Sequence, residues 1–359
     1  MLTRLAFLLA LALAFAVLAT ACGGGDSEQA PSTAVQTPTT EAQPTPTVTP
    51  DGVVTIAAVG DVMLARDLIT LMDEHGPLYP YERVLDLLRD ADITIVNLEG
   101  ALTERGLPVE KLYNFRTPPR FAAGLTEAGI DVVTLGNNHT ADYGVVGVQD
   151  TLAALDDVGL LYSGAGMDEA AARAPAIVEV EGLRIAFLSY TDQLVNMFAG
   201  LYQAGVAYAD VASITEDVGA ARLVADVVVV SIHSGKEYVD EPTAVQQELA
   251  HAAIDAGALL VLGHHPHTLQ RLEEYGGGLI AYSLGNFIFD LDAEDLESLG
   301  PRAFETVVLY VTLTRGGIVD VRTVPVFIDP FENRPRLATD DEAVAILRRL
   351  GELGAPAGE

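Results

Sequence analysis

Leu259-Leu260-Val261-Leu262-Gly263-His264-His265-Pro266-His267 reads as a short strand, apolar on both faces, that ends in three imidazoles. Three charged imidazoles within four residues would repel one another and offer no packing value, so the cluster reads as metal-ligating. The same pattern recurs upstream. Apolar runs at Val53–Val59, Ile93–Leu98, Val132–Leu135 and Val227–Ile232 end in Gly60-Asp61-Val62-Met63, Asn97-Leu98-Glu99-Gly100, Gly136-Asn137-Asn138-His139 and His233-Ser234-Gly235. Candidate helices lie between them at Tyr81–Asp90, Pro118–Ala128, Val145–Asp157 and Thr243–Ala256, which implies α/β layering with right-handed crossovers. Two segments read instead as hairpins: Ala176–Tyr190 around Glu181-Gly182, and Thr306–Phe327 around Arg315-Gly316-Gly317. The expected architecture is a mixed sheet or a two-layer sheet sandwich with helices outside, closed by a terminal helix near Asp340–Leu350.

Open α/β sheets bind ligands beyond the carboxyl ends of their strands, so the five polar clusters should converge on one crevice. Five of the seven histidines (His139, His233, His264, His265 and His267) sit at these tips, whereas His75 and His251 are expected in surface or packing roles. Taken singly, Asp61 could cap a helix starting near Leu64 and Asn138 could occupy a turn. Together, imidazoles, carboxylates and an amide without thiolates suit Zn, Mn, Fe or Mg. Glycine beside each cluster is expected to let the backbone turn sharply and a substrate approach closely.

Composition narrows the function. The 359 residues carry 20 Lys+Arg against 51 Asp+Glu, a formal charge of −31, with one Cys and no Trp. A pI near 4.3 and the absence of a basic patch argue against a nucleic-acid partner. One Cys excludes both a disulfide framework and a thiolate zinc site. A hydrophobic content of 50% and mean hydropathy of +0.29 exclude global disorder. Gly164-Ala165-Gly166 lacks the rest of a dinucleotide fingerprint, and there is no Gly-Lys-Ser/Thr phosphate loop.

The N-terminus sets the compartment. Arg4 precedes an apolar run of about 17 residues, roughly 25 Å of helix against a ~30 Å hydrocarbon core, so residues 1–22 read as a cleaved export signal. Ala19-Thr20-Ala21-Cys22 is similar to a bacterial lipoprotein box, which implies lipidation of Cys22 and a membrane contact through that anchor. Residues 23–52, rich in Pro and Thr, cannot bury enough apolar area to order themselves and read as an extended tether. The main domain is then 53–335, followed by a C-terminal helix and tail at 336–359.

The ordered set Gly60-Asp61-Val62-Met63-Leu64, Asn97-Leu98-Glu99, Gly136-Asn137-Asn138-His139 with Asp142-Tyr143-Gly144, His233-x-Gly235-x-Glu237-Tyr238, Gly263-His264-His265-Pro266-His267 and Ser283-Leu284-Gly285-Asn286-Phe287 resembles the CapA family of poly-γ-glutamate capsule synthesis, a branch of the calcineurin-like metallophosphoesterases. The resemblance runs from Thr55 to Ile328 and implies a layered sheet sandwich of metallophosphoesterase type. It departs from the wider superfamily where Met63 replaces a histidine and Asn97-Leu98-Glu99 replaces a Gly-Asp-x-x-Asp motif. Thioether is a poor partner for a hard cation, so one metal site is expected to be weakened. Ser234 stands where the family usually has an aromatic residue and is expected to alter a substrate-facing wall.

By resemblance, Asp61 and His267 would hold a first metal, Glu99 would bridge, and Asn138, His233 and His265 would hold a second, with His264 as the alternate ligand. His139 would be the general acid, oriented by Asp142. Arg66, Lys236 and Asn286 are the candidate substrate contacts. The implied function is an exported, lipid-anchored protein with a site for one or two divalent ions and a phosphoesterase-like chemistry, active in capsule or other extracellular polymer synthesis, export or anchoring. Its partners would be an extracellular polymer or phosphoester substrate and capsule-synthesis membrane proteins. Two alternatives stay open: hydrolysis of amide or γ-glutamyl bonds, and a non-catalytic surface scaffold.

Overall fold

The computed structural model describes residues 52–193 and 197–351. The export signal, Cys22 and all of the Pro/Thr-rich stretch but Gly52 lie outside the described residues. Numbered along the chain, the strands of the two large sheets are β1 (Val54–Val62), β2 (Ile93–Leu98), β3 (Val132–Thr134), β4 (Leu161–Ser163), β5 (Ala176–Val180), β6 (Leu183–Thr191), β7 (Val227–His233), β8 (Leu260–His264), β9 (Leu269–Tyr275), β10 (Gly278–Leu284), β11 (Asn286–Ile288), β12 (Glu305–Thr314), β13 (Gly317–Asp329) and β14 (Arg334–Leu337).

The first sheet runs β14-β13-β12-β1-β2-β3-β4, with β11 beside the end of β1. Its β1 to β4 are parallel, and β12 joins β1 antiparallel. The second runs β9-β10-β8-β7-β6-β5, with β6, β7, β8 and β10 parallel. Side-chain alternation explains why the sheets stack. On β1, Val54, Ile56 and Ala58 join Ile185, Phe187, Val229 and Leu262 of the second sheet in one core, while Ala57 and Val59 face the helices Asp67–His75 and Gly144–Val158. On β7, Val227 and Val229 point to the same inter-sheet core, while Val228 and Val230 meet the helices Val211–Ala221 and Ala244–Ala256. The result is four layers, helix–sheet–sheet–helix, and of the two expected architectures the structure has the two-layer sandwich.

Local signals place most elements. Thr243 and Gln246 form a reciprocal capping box that starts the Ala244–Ala256 helix. Both expected hairpins form, as β5–β6 and β12–β13. The continuous helix expected over Tyr81–Asp90 does not: a 3₁₀ turn at Tyr79–Tyr81 and one α-turn at Leu85–Leu88 replace it, because Val84 leaves the helical region at φ −130°. The terminal helix Asp340–Leu350 docks Ile346 and Leu350 into the inter-sheet core, and Arg336 lies inside β14, so residues 336–351 are part of the sandwich.

Gly235 makes the sharp turn expected beside His233, at φ 121°, whereas Gly60 and Gly263 serve a different purpose from the one expected. A Cβ on Gly60 would lie 2.1 Å from the Gly285 carbonyl oxygen, and one on Gly263 would lie 2.0 Å from that of Tyr282. The close approach is by a neighbouring strand and not by a substrate. Gly60 in particular lets the Asp61 N–H reach the Gly285 carbonyl at 2.8 Å, which fixes the tip of β1.

Gly60→Ala is therefore expected to lower stability by about 1–3 kcal/mol or more, read as a fall in the denaturant midpoint. A second expectation concerns the terminal helix. Glu342 accepts from Arg336 Nη1 at 2.8 Å and Nη2 at 2.9 Å and from the Thr339 N–H at 2.7 Å, and the Arg336 guanidinium holds its carboxyl down at about 2. A carboxylate with a depressed folded pKa stabilises above its unfolded value and loses that contribution as pH falls through the folded one. Wild type should thus melt above Glu342→Gln at pH 6, with the gap closing between about pH 4.5 and pH 2.

Candidate metal centre

The carboxyl ends of both parallel strand sets open onto one place. Asp61 lies near the end of β1, Glu99 follows β2, Asn137 to Asp142 follow β3, and His233 and His264 are the last residues of β7 and β8. An amide relay ties the tips together. Asn137 Nδ2 donates to Asn97 Oδ1 at 3.0 Å, and Asn97 Nδ2 donates to Asp61 Oδ1 at 2.8 Å. Asn97 Nδ2 also lies 3.4 Å from His233 Nδ1, which carries the relay across to the second sheet. The Glu99 N–H donates to the Val62 carbonyl at 2.8 Å and sets that carboxylate beside Asp61.

Glu99 is completely buried, and neither of its carboxylate oxygens has a hydrogen-bond partner. Around Oε1 stand three imidazole nitrogens: His139 Nε2 at 3.7 Å, His267 Nε2 at 3.7 Å and His233 Nε2 at 3.9 Å. These separations exceed hydrogen-bond length: the His233 and His267 nitrogens suit donors gathered with Glu99 about a cation that each ligates near 2.0–2.2 Å, while His139 Nε2 faces the same centre without belonging to either donor group. Asp61, also fully buried, meets His264 Nδ1 at 3.1 Å and His267 Nδ1 at 3.4 Å. The Asn138 Oδ1 is another buried acceptor without a partner. Orphaned buried oxygens beside imidazoles, in an O/N donor set, fit a divalent cation.

The electrostatics follow from the same packing. Burial and the neighbouring Asp61 charge push the Glu99 carboxyl well up. Burial would raise Asp61 too, but the imidazoles of His264 and His267 outweigh it and hold that carboxyl well below the usual range. His267 is pushed up to about 10, because Glu99 and Asp61 overcome its burial. Burial and the His267 charge pull His265 down to about 3, and burial with the His265 charge pulls His233 well down. The cluster thus sets two buried carboxyl groups side by side, with Glu99 pushed toward its neutral form, and a divalent cation would favour the ionised form of both.

Two donor groups stand out among the described residues: Asp61, Glu99 and His233, and Glu237, His265 and His267, each with its ligand atoms within 4.8 Å of one another. This grouping differs from the pairing drawn from the resemblance, since His267 reaches Asp61 through Nδ1 but Glu99 through Nε2 and cannot turn both nitrogens to one ion. Met63 is no donor here. It packs with Phe115, Phe289 and Phe304, and its sulfur lies 3.1 Å from the Ala65 N–H.

His139 stands beside this centre. Its Nδ1 is 2.8 Å from Asp142 Oδ2, and its ring stacks on Phe115 with centroids 4.1 Å apart. Lys111 completes the arrangement: Nζ donates to the Asn138 carbonyl at 2.7 Å, lies 3.1 Å from His139 Nδ1 and pairs with Asp142 Oδ1 at 2.5 Å. Burial lowers the His139 pKa, Asp142 pulls it back up, and Lys111 opposes that pull. Sequence reasoning did not single out Lys111 or give Asn97 and Asn137 a role. The chain has only two lysines, Lys111 and Lys236, and that scarcity was the available signal.

A cavity of about 350 Å³ opens over the centre, with His139, His267, Phe115, Tyr238, Glu237 and Arg66 among its walls. Arg66 is exposed and lies over the Phe115 and Tyr113 rings at 4.8 and 5.4 Å. Lys236 is exposed and does not line this cavity. Asn286 lies behind the centre, where its Oδ1 meets His267 Nδ1 at 2.8 Å and its Nδ2 donates to the Ala303 carbonyl at 3.0 Å. Ser234 is buried against Gln246 and Ala250, away from the cavity, so its identity does not shape a substrate-facing wall. His251 pairs with Glu273 at 3.0 Å and His75 stacks on Tyr79, both remote from the centre.

Residues 55–291 match the family model described as bacterial capsule synthesis protein PGA_cap. The chain belongs to that family. Capsule synthesis relatives include the capsule biosynthesis protein CapA of Bacillus anthracis, 34% identical over 245 residues that cover 66% of this chain and 60% of that protein. The PGA biosynthesis protein CapA of Bacillus subtilis (strain 168) is 34% identical over 244 residues, covering 67% of this chain and 64% of that one. The match thus spans about six tenths of the length of these two relatives. The fold is shared with a solved structure: a Staphylococcus aureus candidate 5′-nucleotidase, in complex with alpha-ketoglutarate, superposes with a TM-score of 0.50 at 14% identity over 83% of this chain and 58% of that one.

Replacing Lys111 by Met should raise the His139 pKa, because it removes the cation that opposes protonation. NMR titration of ¹⁵N-labelled imidazoles in metal-free protein reads this directly, and an unchanged or lowered value would separate Lys111 from His139.

Proposed function

We propose that this family member is a metal-dependent hydrolase with a phosphoesterase-like site, serving the synthesis, export or anchoring of capsule or another extracellular polymer. The observation that carries the reading is Glu99, fully buried, unpartnered at both oxygens and ringed by three imidazole nitrogens at 3.7–3.9 Å. Asp61, Glu99, Asn138, His233, His265 and His267 would hold one or two divalent ions, Mn, Fe, Zn or Mg, with His264 as the alternate ligand. Ions bound there supply Lewis-acid polarisation of an ester or amide oxygen.

The chain's own residues do the rest. Asp142 engages His139 Nδ1, which fixes the ring and leaves Nε2 to give a proton to the leaving group or take one from the nucleophile. Phe115 holds the ring plane by stacking and keeps water from one face. Arg66 at the rim offers a cation to an anionic group entering a cavity of about 350 Å³, a volume that suits a terminal group and not a polymer coil. With a formal charge of −31, an anionic substrate needs Arg66, Lys111 and bound cations to offset repulsion.

A second reading is hydrolysis of γ-glutamyl amide bonds, favoured by the relative named for PGA biosynthesis. The names of the capsule relatives also favour a cell-envelope location. Export, lipidation of Cys22, contact with the membrane through that anchor and with capsule-synthesis membrane proteins complete the proposal. Among the described residues no helix is long and apolar enough to cross a membrane.

The test is His139→Ala, with phosphoesters and γ-glutamyl peptides as separate substrates. Turnover should fall at least 100-fold while the metal content by elemental analysis stays at the wild-type level. Equal turnover removes His139 from the chemistry. Metal-loaded wild type inert on both substrate classes would favour a non-catalytic surface scaffold.

A further inference from the structure

The loop between β7 and the helix Ala244–Ala256 supplies one wall of the cavity, through Glu237 and Tyr238. Tyr238 holds left-handed backbone at φ 58°, a conformation that a tyrosine keeps only where its surroundings over-determine it. Two ties come from the neighbouring segment of the same sheet. The Tyr238 N–H donates to the Pro266 carbonyl at 2.7 Å, and Gln270 Nε2 donates to the Val239 carbonyl at 2.7 Å. A third tie comes from the other end of the chain. Arg349, in the last turn of the helix Asp340–Leu350, pairs through Nη1 with Asp240 Oδ2 at 2.9 Å.

Arg349 reaches Asp240 from a fixed base. Its Nε donates to Glu305 Oε2 at 2.8 Å, and Glu305 is buried at the start of β12. Ile346 and Leu350, on either side of it along the helix, are buried in the inter-sheet core. Most surface ion pairs are weakened by the entropy of ordering two long side chains, and here the core and Glu305 have already ordered one of them. The guanidinium spans two carboxylates through two different nitrogens, which a single ammonium could not do in this geometry. The other partners of Asp240 stand farther off: Thr268 Oγ1 at 3.5 Å and Arg302 Nη1 at 4.0 Å.

We infer that Arg349 is a positioning residue: acting through Asp240, it holds the loop that carries Glu237 and Tyr238 and so fixes that wall of the cavity. Tyr238 stands between this link and the centre, with its ring centroid 6.0 Å from that of His267. The terminal helix lies beyond residues 55–291, which the family model matches, and yet through Arg349 it belongs to the site. Its effect on a substrate rests on reading the cavity as the place where substrate enters; the link itself does not.

The experiment is amide hydrogen exchange on the full-length protein, read by mass spectrometry over residues 236–241, for wild type, Asp240→Ala and Arg349→Met. Asp240 is exposed, and its truncation leaves Arg349 paired with Glu305, so Asp240→Ala should melt where wild type does. Both variants should exchange about tenfold faster over this segment while the tips of β1 and β8 keep their rates, and the double variant should exchange no faster than either single one. Arg302→Ala and Thr268→Val should leave the segment as in wild type. If Arg349→Met leaves Glu305 unpaired and does not fold, Asp240→Ala together with these two controls decides the matter. Unchanged exchange in Asp240→Ala or in folded Arg349→Met overturns the inference, as does faster exchange in either control. With p-nitrophenyl phosphate as substrate, Asp240→Ala should raise KM about threefold or more at an unchanged kcat, and an equal KM overturns the role in the cavity wall. Wild type inert toward phosphoesters counts against the hydrolase reading and leaves the exchange result to decide the link.

Discussion

Two carboxylates buried side by side, Asp61 and Glu99, set the constraint around which the rest of this structure is arranged. Unpaired charges in an apolar core cost far more than the net stability of a domain can absorb, so their surroundings must supply positive charge and hydrogen bonds. The protein supplies these from both sheets: the Asn137–Asn97 amide relay from the first, and His233, His264 and His267 from the second. Glu99 remains without a hydrogen bond despite this, which sets it apart from an ordinary buried ion-pair network.

That constraint explains features that would otherwise be unrelated. Gly60 and Gly263 lack side chains because neighbouring strands must approach to about 2 Å from where a Cβ would stand, which locks the tips that carry Asp61 and His264. His265 and His267 hold left-handed backbone because the loop has to aim imidazoles and not continue a strand. Lys111, Asp142 and Phe115 surround His139 so that one ring nitrogen is engaged and the other faces the centre. Rigid positioning of that ring is what the proposed hydrolysis would need, since small misplacements of a reacting group are costly in rate.

Membership of the capsule synthesis family and the layered sandwich agree with this picture at the level of fold. The chemistry rests on the centre itself, because a fold hosts many functions. Loss of an imidazole at Met63 does not empty the centre of donors. Met63 is absorbed into an apolar cluster with Phe115, Phe289 and Phe304, and the carboxylates and imidazoles still stand close together without it.

The sequence by itself determined that the strands are covered on both faces and where the site lies, and the structure chose the two-layer sandwich over a single mixed sheet. Apolar runs such as Val227–Ile232 call for cover on both faces, and polar residues immediately after such runs gather at the strand ends, so Asp61, Glu99, His139, His233 and the His264–His267 cluster were legible as one site. Hairpins at Glu181-Gly182 and Arg315-Gly316-Gly317 and the helix Asp340–Leu350 were equally local in their signals. Only the tertiary structure decided which residues pair across that site. Lys111 comes from an irregular loop with no periodicity to mark it, Asn286 faces His267 and not the cavity, Ser234 turns away from the cavity, and Glu237 joins two histidines some thirty positions along the chain. These partnerships depend on how loops from two different sheets close over one another, and that closure is a long-range packing property that residue spacing does not encode.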